Sequence, residues 1–304
     1  MKGILLASTT AILWGILAIA LKIALNYFDS YTIVWFRFLV ATTVLATYYA
    51  IKKPSMLSVY KKPPLLMVVG AILLAGNYIG YMQGINYAGP GATQIIIQTG
   101  PVMLGIIGFT VFKERLTISR VLGFAIATGG FFVFYYNQSN GVVIQKYELF
   151  KGVLWTLGAA ASWAGYAFVN KKLVLKYHPQ QINLIIFGLP ILLFLPTVDF
   201  HSFTQTYEWW VWLLMLALGL NTVVAYGTLS AAFKYTEANK ISIVIIMNPI
   251  ITFVILEVLL LLNISWFPIN KVSMMAYVGA LLVLGGTVLA IGLSQKKKIN
   301  AHDA

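Results

Sequence analysis

From Gly3 to Leu293 the chain is a near-continuous succession of apolar runs, and no stretch between them is long enough to fold as an aqueous domain. The hydrocarbon core of a bilayer, about 30 Å thick, takes roughly 20 apolar residues in helical form. Ten runs meet that length, some of them approximately: 3–25, 31–51, 65–87, 91–112, 118–137, 149–170, 182–198, 209–233, 239–262 and 274–293. Lipid offers no partner for backbone polar groups, so each run must be helical; a closed barrel would show shorter segments of alternating hydropathy. Composition agrees, with 60% hydrophobic residues, 10% charged and a mean hydropathy of +0.85, where a soluble domain is only ~45–50% apolar. The expected fold is an all-α integral membrane bundle of ten transmembrane helices. The first run is too long for the core of a secretory signal and is interrupted by Lys22, so it reads as a mature span. With no Cys in the chain, disulfides, thiolate catalysis and Cys-held metals are excluded.

The second half of the chain repeats the first. At a spacing of 149, Gly3, Trp14 and Lys22 recur as Gly152, Trp163 and Lys171; at 148, Tyr78, Tyr87 and Pro101 recur as Tyr226, Tyr235 and Pro249. At 156, Gly123, Gly129 and Gly130 recur as Gly279, Gly285 and Gly286. Five spans per copy is an odd number, so the copies run in opposite directions, as two inverted five-helix repeats of the kind on which transporters are built. The expected units are 1–137 and 149–293, joined by an external loop at 138–148 and followed by a basic tail at 294–304. The paired glycines predict close helix approach.

A net charge of +13 would suit a nucleic-acid partner, but the Lys and Arg fall in short loops and form no continuous basic face. With the N-terminus placed in the cytoplasm, 16 basic residues fall on the inner side and three, Lys146, Lys151 and Lys271, on the outer. The positive-inside rule then puts both termini in the cytoplasm of a multi-pass protein of the inner, or plasma, membrane. The remaining two cations, Lys22 and Arg37, lie within spans.

Residues 87–115 read YAGPGATQIIIQTGPVMLGIIGFTVFKER, with Pro101 in mid-span and the Glu114–Arg115 pair thirteen residues later. The first span contains ILWGILAIALKIAL around Trp14, and the second WFRFLVA around Arg37. Taken in order and in two copies, these segments resemble the EamA-type members of the drug/metabolite transporter superfamily. In the second copy the thirteenth residue after Pro249 is Leu262, and Glu257 sits five residues earlier. The resemblance implies a secondary transporter, often an exporter of amino acids or other metabolites, with no cofactor. It also implies a central cavity lined mainly by the third, fourth, eighth and ninth spans.

The residues point the same way. Asn77, Tyr81 and Gly84 share one face of the third span, and Gln94, Gln98 and Pro101 one face of the fourth. Amides facing lipid are costly, so both faces look inward, either to bond neighbouring helices or to line a polar cavity. The candidate solute-binding residues are Trp14, Asn77, Tyr81, Gln94, Gln98, Trp163, Asn221, Tyr226 and Asn248. Pro101 and Pro249 are candidate hinges, each expected to kink its span in mid-membrane. Lys22, Arg37 and Glu257 fall in the outer third of the membrane and are candidate gating or coupling groups, with Glu257 expected to pair with Arg37 or, second, Lys22. A carboxylate so placed is also a candidate proton carrier. Two embedded cations against one anion favour a solute with an anionic group. No metal-ligand cluster or phosphate loop is present. Small solute and bilayer lipid are the expected partners, and no oligomeric state follows. Two rival readings are a membrane-embedded enzyme acting on lipid or lipid-linked sugar, and a non-transporting scaffold or receptor. The first would need clustered acids or His at the interface, which the eight scattered acidic residues do not supply.

Overall fold

The computed structural model describes residues 2–100, 102–103, 118–140, 146–235, 244–262, 264 and 273–292. Among these residues there is no strand, and nine α-helices follow one another. They are α1 (Lys2–Ala24), α2 (Ser30–Lys52), α3 (Leu65–Ile96), α4 (Ile118–Asn140), α5 (Lys146–Leu173), α6 (Pro179–Phe194), α7 (Trp209–Tyr235), α8 (Asn248–Leu261) and α9 (Met274–Gly292). Seven stretches of described helix are long and apolar enough to cross a membrane; Val121–Asn137 in α4 and Met274–Leu289 in α9 are apolar but shorter. Pro101, the Glu114–Arg115 pair and the basic tail lie outside the described residues. The expected external loop at 138–148 is partly helix, since α4 runs to Asn140 and α5 begins at Lys146.

Local chemistry sets the helix ends. Asp29 caps α2 by accepting from the backbone N–H groups of Tyr31 and Thr32, and His178 with Gln181 forms a capping box ahead of Pro179 at α6. Within α3 the Gly89–Pro90 pair interrupts helical geometry. Gly89 has φ 80°, a conformation that suits glycine, and it precedes a proline, which disfavours the helical region in the residue before it. The break falls where the third and fourth apolar runs are divided in the sequence. A second irregularity follows at Ile97 and Gln98, where the Gln98 and Gly100 N–H groups bond three residues back to Ile95 and Ile97. In the other half the Met247 and Ile250 N–H groups do the same, to Val244 and Met247.

Helices of the first half pair with helices of the second. The contacts Thr10–Thr228, Leu13–Asn221 and Tyr27–Tyr207 run α1 against α7 in opposite senses. Tyr31–Phe194, Trp35–Ile191 and Phe38–Phe187 do so for α2 and α6. Asn77–Ala159 and Ala88–Gly152 do so for α3 and α5. Between α4 and α9 the backbones nearly touch. A Cβ placed on Gly130 would lie 2.6 Å from Leu282 Cβ and 2.8 Å from the Gly279 carbonyl oxygen, and one on Gly286 would meet the Gly123 carbonyl oxygen at 2.7 Å. Gly129 and Gly285 have nothing within 4 Å, so only one glycine of each expected pair makes the close approach.

The connections after α2 and α6 each reach across to the other half. Tyr60, in the 3-10 turn Pro54–Tyr60, donates to the Leu184 carbonyl of α6 at 3.0 Å, and burial pushes its phenol up to about 12, so it stays a neutral donor. In the connection after α6, Phe203 packs on Trp35 and Phe36 of α2 and stacks on Trp212, while the Asp199 N–H donates to Thr32 Oγ1 at 2.9 Å.

Candidate functional site

Between the two sets of helices lies a cavity of about 100 Å³, where a single water needs about 10–15 Å³ by the same measure. Eight of the nine solute-binding residues expected from the sequence line it. Trp14 and Trp163 wall it from α1 and α5, and Asn77, Tyr81, Gln94 and Gln98 come from the α3 region. Tyr226 of α7 and Asn248 of α8 complete the eight. Arg37, Tyr78, Leu17, Ile97 and Ile245 also line it. Tyr78 was legible as the repeat partner of Tyr226, and their rings lie 6.2 Å apart; Leu17, Ile97 and Ile245 are aliphatic residues in apolar runs and carry no sequence signal.

The amides hold helices together with their donors. Gln94 Nε2 donates to the Trp14 carbonyl at 3.0 Å and to Thr252 Oγ1 at 3.1 Å, and Thr252 in turn donates to the Gly15 carbonyl at 2.7 Å. Gln98 Nε2 donates to the Gln94 carbonyl at 3.3 Å and to Asn248 Oδ1 at 3.1 Å. An amide nitrogen carries two protons, so both N–H donors of each glutamine are in use. Asn77 Nδ2 donates to the Ala159 carbonyl of α5 at 3.0 Å. Both functions weighed for these amides, cavity lining and interhelical bonding, are therefore met by the same side chains.

Asn221 is the exception. Its Nδ2 donates to the Leu13 carbonyl of α1 at 3.2 Å, its Oδ1 is buried without a partner, and it does not line the cavity. A helix face fixes which residues look inward, and α7 turns Asn221 towards α1.

Arg37 is the cation of the cavity wall. It is 3% exposed, its guanidinium lies 4.5 Å from the centre of the Tyr78 ring, and one terminal nitrogen donates to Thr222 Oγ1 at 3.3 Å. Its Nε–H has no hydrogen-bond partner. The expected Arg37–Glu257 pair is absent: among the described residues no carboxylate comes within ion-pair reach of Arg37, and Glu257 instead accepts from the Tyr277 hydroxyl of α9. Depth in the membrane placed the two charges together, but depth carries no azimuth, and Glu257 faces α9. Lys22 is half-buried in the last turn of α1.

Pro249 does not kink a continuous helix. It occupies the first turn of α8, just after the Met247 turn, where a proline's missing N–H costs nothing. The helix is interrupted as expected, but the interruption lies ahead of the proline, at Met247.

An all-helical membrane bundle with an internal chamber walled by aromatic rings, amides and one arginine has the build of a multi-pass carrier. The comparisons fix the family: the chain belongs to the EamA-like transporter family, whose sequence model matches residues 1–136 and 150–292. It is 31% identical to the uncharacterized inner membrane transporter YhbE of Escherichia coli K12, over 95% of this chain and 91% of that one. It is 29% identical to an uncharacterized transporter of Haemophilus influenzae over 95% of both. It is 22% identical to a probable amino-acid metabolite efflux pump of E. coli K12 over 98% of both. A solved crystal structure covers 97% of this chain at a TM-score of 0.66 and 19% identity, a likeness of fold. The protein is thus a multi-pass inner membrane transporter and not an enzyme.

Proposed function

We propose that the chain carries a small organic metabolite outward across the inner membrane by alternating access around the cavity between α1, α3, α5 and α7. In this reading ten spans form two inverted five-helix repeats, and both termini are cytoplasmic. The antiparallel pairing of the halves supports it, as do the reciprocal contacts of Gly130 with Gly279 and of Gly286 with Gly123. In a two-fold arrangement each contact implies its mirror. The distribution of basic residues supports the orientation.

One observation carries the binding site: Arg37 is buried in the cavity wall with an unpartnered Nε–H and, among the described residues, no carboxylate to neutralise it. A charge in that position is stabilised by a partner or water, and a solute's anionic group is such a partner. One relative is named as a probable amino-acid metabolite efflux pump, which supports an organic metabolite as the solute class. The breaks at Ile97–Gln98 and at Met247 are candidate hinges; the second takes the role expected of Pro249, and Pro101 stays a candidate beside the first. Glu257, bonded to Tyr277, is the candidate proton carrier and would couple efflux to the proton gradient; Lys22 is left as a residue whose stem reaches the headgroups.

The test is flux in sealed proteoliposomes loaded with a metabolite panel, with and without a pH gradient. Saturable efflux of at least one solute, lost in Arg37→Gln, is expected. Absence of flux across the panel, with folded protein inserted, would sink the carrier mechanism.

A further inference from the structure

The cavity's walls and its charge together point to a narrower class of solute. Among the described lining residues there is one charged side chain, Arg37, and no Asp or Glu. The same cavity is lined by Trp14, Trp163, Tyr78, Tyr81 and Tyr226. The Trp14 and Tyr226 rings meet edge to face at 5.6 Å, and those of Tyr166 and Tyr226 at 6.2 Å, so the aromatic wall is packed from behind. The donor accounting narrows the choice again. Both N–H groups of Gln94 and both of Gln98 are spent on protein acceptors, whereas the Arg37 Nε–H is buried and unspent.

We infer that the solute is a net monoanion, an organic carboxylate with an apolar or aromatic body and no ammonium group, whose carboxylate docks on the Arg37 guanidinium and whose body lies between the two tryptophans. This deepens the carrier reading and rests on it. A guanidinium offers adjacent N–H groups in the geometry of a carboxylate's two oxygens. The ring faces bury the body, since aromatic surfaces take apolar groups at little entropic cost. A zwitterion of the same shape would bring an ammonium into a chamber whose described lining residues include no carboxylate, and the ring faces that could receive it return only about 0.5–2 kcal/mol, less than the several kcal/mol that an ion loses on leaving water. The asymmetry of the two halves agrees with a single docking point: at the repeat spacing of 148 to 149, the position of Arg37 corresponds to Ile185 or Ile186, aliphatic residues.

A matched series of four ligands reads the charge requirement on the intact chain in detergent, by thermal shift and equilibrium binding. The series is phenylpropionate, phenylalanine, phenylpropionamide and phenethylamine, which share a body and differ in charge. Phenylpropionate is expected to bind, phenylalanine and the amide about tenfold or more weaker, and the amine not at all. Arg37→Gln, checked for folding by size exclusion, is expected to bind phenylpropionate no better than the amide, and Arg37→Lys to recover part of the preference. Zwitterion binding equal to or tighter than the carboxylate, equal binding of amide and carboxylate, or binding of none of the four would overturn the inference. Phenylalanine carried in sealed vesicles while phenylpropionate is not would also overturn it and leave the carrier reading standing. A lack of flux for every solute strikes the carrier reading itself.

Discussion

Gln98 and Asn248, 150 positions apart in the chain, meet across the two halves, with Gln98 Nε2 donating to Asn248 Oδ1 at 3.1 Å. Each stands beside an irregular turn in its own half, Ile97–Gln98 in one and Met247 in the other. The bond therefore ties together the two places where helical geometry is interrupted, on the wall of the cavity. A double-mutant cycle of Gln98→Ala and Asn248→Ala should give a coupling of about 0.6 kcal/mol, and no more than ~1.7, in unfolding, the range of interhelical bonds in membranes. Solute flux should fall more steeply than stability. Additive effects on both would mean the two breaks act independently.

The contact between α4 and α9 predicts a split among four glycines. Gly130→Ala and Gly286→Ala place a methyl against the opposing backbone and should each cost about 1–3 kcal/mol, seen as a lower melting temperature in detergent. Gly129→Ala and Gly285→Ala have open space and should stay within about 0.5 kcal/mol of the parent. Equal losses at all four positions would contradict the packing described.

Much of this arrangement is legible in the sequence. Hydropathy length marks the helices, the 3.6-residue period puts Asn77 with Tyr81 and Gln94 with Gln98 on shared faces, and the cost of amides in lipid turns those faces inward. The recurrence of Trp14 as Trp163 and Tyr78 as Tyr226 marks four of the cavity's rings. What periodicity does not carry is the rotation of one helix against another. Asn221 and Glu257 were each assigned by residue type and depth, and each is turned to a neighbour, the Leu13 carbonyl and Tyr277. Pro249 was read as a kink, yet a proline after Asn248 is equally the signature of a helix's first turn, and there the local rule was available.

If Glu257 carries protons, its bond from the Tyr277 hydroxyl should tune that function. Glu257→Gln is expected to leave binding intact and to make efflux insensitive to an imposed pH gradient, while Tyr277→Phe shifts the pH dependence without abolishing it. Unchanged pH dependence in Glu257→Gln would remove the coupling role from this residue.

The connection after α2 is held to α6 by the Tyr60 hydroxyl on the Leu184 carbonyl. Tyr60→Phe should lower unfolding stability by about 0.5–1.5 kcal/mol, the net worth of one such bond. No change would mean that packing alone holds the connection.

The central claim is that one chamber, between two oppositely threaded halves, opens to each side of the membrane in turn. The chain has no Cys, so single cysteines at Ile97 and Ile245, two apolar positions on the cavity wall, can be labelled with a membrane-impermeant thiol reagent in sealed, oriented vesicles. Reaction from the cytoplasmic and the external face alike, slowed by a transported solute, is the predicted result. Reaction from one face only, or no reaction at either position, would contradict it.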